Sequence, residues 1–140
     1  MAKGLHNLIR LGEWQVDEKR RALGTLLTTV ANMEGLLASL EAEIISEQAA
    51  ATATPVEGGL IYGSYASAAI ERRNNFHARI ALVEEEITEA REELRLAYLD
   101  LKKYEIVQRQ REEREAIERD REEQAYLDEL GMQGHLRKDA

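Results

Sequence analysis

Apolar residues recur at seven-residue spacing along two long stretches of this 140-residue chain, and between the stretches lies a short segment holding the only proline and three of the nine glycines. In the first stretch Ile9, Val16, Leu23, Val30, Leu37 and Ile44 fall every seventh position, with Leu5, Leu26, Met33 and Leu40 in the complementary d slots. In the second, Ile80, Ile87, Leu94 and Leu101 are joined by Ala69, Phe76, Val83, Ala90, Ala97 and Tyr104. A repeat averaging 3.5 residues keeps one stripe of a helix against a partner helix, so this pattern predicts a coiled coil. The simplest partner for each stretch is the other. The expected fold is therefore all-α: a long two-helix antiparallel coiled-coil hairpin with a charged C-terminal helical overhang, forming one unit over 1–140.

The first helix is expected over about 7–51, the turn over about 52–64, the second helix over about 65–130 and a tail over 131–140. Asn7, Ser64 and Ser67 are candidate N-caps. Pro55 stops the first helix, Gly58, Gly59 and Gly63 permit the reversal, and Gly131 and Gly134 end the second helix. Leu60, Ile61, Tyr62 and Tyr65 are expected to fold back over the hairpin end. A bend near residue 58 makes facing positions sum to about 116, placing Ile44 near Arg73, Leu23 near Glu93 and Ile9 near Val107. The second helix then overhangs from Gln108 onward, where the seam slots hold Gln108, Arg111, Glu115 and Glu118. Glu/Arg pairing would hold that part, and it would fray without a partner.

Composition argues against most other functions. With 5% aromatic and 33% charged residues there is little interior in which to hide a substrate. A net charge of -8, spread along the chain, is a poor match to nucleic acid, which needs a concentrated basic face. His6, His77 and His135 share no metal-ligand spacing, no cysteine is present, and the carboxylates have no pocket to perturb them. No enzyme, cofactor or metal site is expected. No run of about 18 uncharged apolar residues and no signal peptide is found, so a cytoplasmic location is expected.

Contact surfaces are the remaining candidates for function. Gly12 and Lys19 occupy d positions, which weakens the seam relative to leucine. Leu11 and Trp14 fall at outward c and f positions, and Leu96, Leu99 and Ile106 are likewise off the seam. Either the helices change register there and turn these residues inward, or the group is a docking surface with Trp14 as anchor. Ile45, Ile70 and Leu82 form a smaller outward set near the turn, explained equally by a wide apolar face. Lys19-Arg20-Arg21, Arg72-Arg73 and Lys102-Lys103 read as solvated helix surface.

The segments LIRLGEWQVDEKRRALG from Leu8 to Gly24, YASAAIERRNNFHARI from Tyr65 to Ile80 and LKKYEI from Leu101 to Ile106 resemble the FliJ proteins of the bacterial flagellar export apparatus. The resemblance covers nearly the whole chain. It implies a hairpin similar to the central stalk of rotary ATPases, one that inserts into the flagellar export ATPase ring and promotes its assembly and turnover. It also implies contact with the cytoplasmic domain of the export gate membrane protein and with export chaperones, by a monomeric hairpin lying peripherally at the inner-membrane apparatus. Candidate ATPase-binding residues are Arg10, Leu11, Trp14, Lys19, Arg20, Arg21, Leu96, Leu99 and Ile106. Candidates for the gate contact are Ile45, Ile70, His77 and Leu82. The competing readings are an injectisome-type secretion stalk, a holdase or scaffold, for which no strand-forming run is present, and a parallel homodimer.

Overall fold

The computed structural model describes residues 2–53 and 57–139, all of them helical. Helix α1 runs Ala2–Ala53 and helix α2 runs Glu57–Asp139, packed antiparallel as a two-helix hairpin. Both helices exceed their expected bounds. Asn7, Ser64 and Ser67 lie inside helices rather than at their starts, and Gly131 and Gly134 are interior to α2, which continues to Asp139. The expected turn over 52–64 shrinks: residues 54–56, Pro55 among them, lie outside the described residues, and Gly58, Gly59 and Gly63 belong to α2. No described glycine has positive φ. Arg137 and Lys138 sit in the last turn of α2, their charge matched to the negative macrodipole end they occupy. Ile61, Tyr62 and Tyr65, expected in a fold-back loop, instead lie in the first turns of α2, with Ile61 73% exposed.

Close contacts cluster into two units, 15–97 and 1–14 with 98–140. In the unit of 15–97 the seam is the heptad stripe. Val16, Leu40, Ala69, Ile80, Ile87, Ala90 and Ala97 are buried, and Leu23, Leu26, Val30, Met33, Leu37, Ile44, Phe76, Val83 and Leu94 are half-buried. Lys19 Nζ bonds Glu93 Oε2 across the pair at 3.0 Å. So Lys19, expected to weaken the seam, reaches sideways to a carboxylate; exposed pairs of this kind contribute about 0.2–1 kcal/mol.

In the other unit Ile9, Gly12 and Leu101 are buried, with Leu5, Tyr104 and Gln108 half-buried beside them. A Cβ on Gly12 would lie 3.3 Å from Leu101 Cδ1 and 3.6 Å from its Cα. Gly12 is therefore a site of close approach, and the leucine it was compared with would not fit against Leu101 as placed. Gly12→Ala needs a shift of only the flexible Leu101 tip and gains helix propensity of up to about 1 kcal/mol, so its thermal midpoint should hold or rise. Gly12→Leu should lower the midpoint by several degrees in the same circular dichroism melt, since overpacking costs about 1–3 kcal/mol.

Facing residues sum to 112 for Lys19–Glu93 and 113 for Gly12–Leu101, not to about 116. Lys19, one turn earlier than Leu23, meets Glu93, because α2 already begins at Glu57. Beyond Gln108 almost every described residue of α2 is exposed, with Ala116 half-buried. The Glu/Arg pairing expected there is replaced among the described residues by Gln108 Nε2 donating to Glu112 Oε1 at 3.1 Å and Gln124 Nε2 donating to Asp128 Oδ1 at 3.0 Å.

By length and composition α1 also contains an 18-residue window apolar enough to cross a membrane, where a search for uncharged runs finds none; only 6% of it is buried in the structure. Between Ala22 and Ser39 Glu34 is the sole charge. The hydroxyls of Thr25, Thr28 and Thr29 donate to the carbonyls of Arg21, Gly24 and Thr25 at 2.9–3.1 Å, which satisfies much of their polarity within the helix.

Candidate partner-binding surfaces

In the unit of 1–14 and 98–140 the seam keeps its register, so the off-seam apolar residues stay outward. Leu11 is 50% exposed, Trp14 58%, Leu99 42% and Ile106 49%. Leu11 and Trp14, three residues apart, share a face of α1, and Leu99 and Ile106, seven apart, share a face of α2. Arg10 is exposed, with no ion pair among the described residues. Lys102, 5.2 Å from the Tyr98 ring centroid and 3.4 Å from Glu105 Oε2, has its ammonium pKa raised by those two neighbours. Farther along, Leu127, Gly131, Met132, His135 and Leu136, with Asp128 among them, line an open and mostly apolar face of the overhang.

The other candidates lie in the unit of 15–97. Leu96 is exposed. Of the basic run, Lys19 is taken by Glu93, Arg21 pairs with Glu18 at 3.4 Å, and Arg20 is exposed without a described ion pair. Ile45, Ile70, His77 and Leu82 are all exposed. They do not form one surface: Ile70 and His77 share a face of α2, while Leu82 lies about 140° round the helix from His77.

Two features escape a reading by heptads. Tyr65, its ring 6.2 Å from that of Tyr62, has a hydroxyl buried without a hydrogen-bond partner; burial first, and then the Glu43 carboxylate, push its phenol above the ordinary value. The second is a cleft of about 190 Å³ lined by Arg72, Asn75, Phe76 and Arg79. Neither Arg72, part of the solvated helix surface, nor Arg79 has an ion pair among the described residues. The signal was present in the sequence: the positions three and four away from each are Ala68, Ala69, Asn75, Phe76, Leu82 and Val83, none of them acidic.

Among the described residues no group of three or more His, Cys, Asp or Glu side chains could hold a metal ion. The surfaces offer apolar and charged contacts, and their chemistry is that of docking. Neither the curated proteins nor the solved structures give a match to this chain. The family model described as Flagellar FliJ protein matches residues 1–140, and the chain belongs to that family, which places it among the components of the flagellar protein export apparatus.

Proposed function

We propose that this chain is the stalk of the flagellar export ATPase: a monomeric hairpin whose unit of 1–14 and 98–140 enters the ATPase ring, promotes ring assembly and raises ATP turnover. The observation that supports this reading is the exposure of Leu11, Trp14, Leu99 and Ile106 beside a seam that keeps its register. Side chains left outward beside an intact seam add nothing to pairing of the two helices and are available to a partner. Arg10 orients that contact; in the unit of 15–97, Arg20, Arg21 and Leu96 are separately available to the ATPase, and Lys19 serves mainly to hold Glu93.

A non-catalytic stalk needs only unequal affinity for the conformations of identical ring subunits. Binding some of them better than others shifts their equilibrium. In this reading the protein works in the cytoplasm, peripherally at the inner-membrane apparatus. Ile70 and His77, with Ile45, contact the export gate, and the overhang of α2 orders against the ATPase or an export chaperone.

Purified protein added to the flagellar export ATPase should increase both ring assembly and ATP hydrolysis. A preparation that is fully helical yet changes neither would overturn the stalk role and leave family membership untouched.

A further inference from the structure

The cleft lined by Arg72, Asn75, Phe76 and Arg79 is not used by the stalk role. Arg72 and Arg79 are exposed and seven residues apart, on one face of α2, about 10 Å along its axis. Asn75 stands between them with an exposed amide, and half-buried Phe76 forms an apolar floor. Neither guanidinium has a carboxylate within ion-pair distance among the described residues, in a chain whose net charge is -8. Guanidinium groups bind carboxylates through two parallel N–H donors, and an apolar floor lowers the local dielectric and strengthens such pairs.

From this charge complementarity we infer that the cleft binds an acidic segment of a partner protein, one presenting two carboxylates about 9–10 Å apart on one side, as residues three positions apart do in a polyproline-II chain of about 3.1 Å per residue. The two arginines are not equivalent. Arg72 shares its surroundings with Glu43 and Glu47, whose charges act on Tyr65 in the opposite direction to its own. Arg79 is flanked one turn on by Leu82 and Val83, has no acidic residue three or four positions away, and carries the greater part of the attraction.

The test uses the full chain and a fluorescein-labelled synthetic peptide of glycine and serine with two glutamates three positions apart. Anisotropy should rise on titration and fall with added salt, and a peptide with glutamines in place of the glutamates should not bind. Arg79→Gln should weaken binding about tenfold and the Arg72→Gln/Arg79→Gln pair further, with helicity unchanged because both side chains are exposed. Arg79→Glu should lose the acidic peptide and gain one carrying lysines. Equal binding of the glutamate and glutamine peptides, or an undiminished affinity in the double variant, would overturn the inference. So would self-association of the wild-type chain that Arg79→Glu abolishes, since that would seat a second copy in the cleft. None of these readings involves the ATPase, so the stalk role and the cleft stand or fall separately.

Discussion

Leu40→Ala lowers the unfolding free energy by about 2–4 kcal/mol, while Leu36→Ala changes it by less than about 0.5 kcal/mol. The two leucines are four residues apart on α1. Leu40 is 2% exposed and Leu36 57%. Truncating Leu40 removes its transfer free energy and leaves a void that two helices close only partly, because the backbones are already held together by neighbouring seam layers. Leu36 is outward and loses almost no buried area. Chemical denaturation followed by circular dichroism at 222 nm checks both, with the wild-type and variant curves compared at equal slope. Near-equal effects of the two substitutions would mean that the stripe through Leu40 does not face α2. The midpoint should also be unchanged over about a hundredfold range of protein concentration, because the pairing is within one chain; a parallel homodimer would melt at a concentration-dependent temperature.

Leu40 also shows why the core was legible from the sequence. In a pair of helices each residue is inside or outside according to a single angle, and the heptad reports that angle directly. The half-buried state of Leu23, Val30 and Leu94 and the burial of Ile80 and Ile87 follow from position alone. The ends of the helices were harder to read. Gly58, Gly59, Gly63, Gly131 and Gly134 are breakers by residue type, yet all are helical. A glycine costs a helix only about 1 kcal/mol, too little by itself to end a long helix flanked by good helix formers. That error moved the expected bend and with it the facing register, so Leu23 rather than Lys19 was set against Glu93.

Contacts that depend on a side chain's length and reach were not legible in the same way. Gly12 looked like a defect because a heptad counts residue types and not interhelical distance; the approach that would put an added Cβ 3.6 Å from the Leu101 Cα is a property of the pair. Lys19 looked like a second defect because the heptad places its Cα and leaves its ammonium free to leave the seam. The candidate gate set spans more than one face. Its members were grouped by nearness to the turn, and Leu82 proves to lie on another flank. The outward group at Leu11 and Trp14, by contrast, left two outcomes open that the sequence could not separate, and the burial of Ile9, Gly12 and Leu101 decides for an unchanged register.

An unchanged register gives the second large effect its direction. Trp14→Ala weakens binding to the export ATPase by about thirtyfold, equivalent to about 2 kcal/mol, with no change in helix content. Most of the indole is outside the helix pair, so its truncation leaves folding alone; a complex can bury the 58% of it still exposed, a large share of the roughly 150–250 Å² such a side chain offers. Leu11→Ala on the same face should cost less, about fivefold, in proportion to its smaller area. Isothermal titration of the ATPase into each variant gives the affinities, and thermal melts give the stabilities. A Trp14→Ala chain that melts earlier and binds normally would assign the indole to the fold and remove the anchor from the stalk contact. If Trp14→Ala and Leu11→Ala lose affinity and the double variant loses no more than Trp14→Ala alone, the two act as one hot spot on the ring.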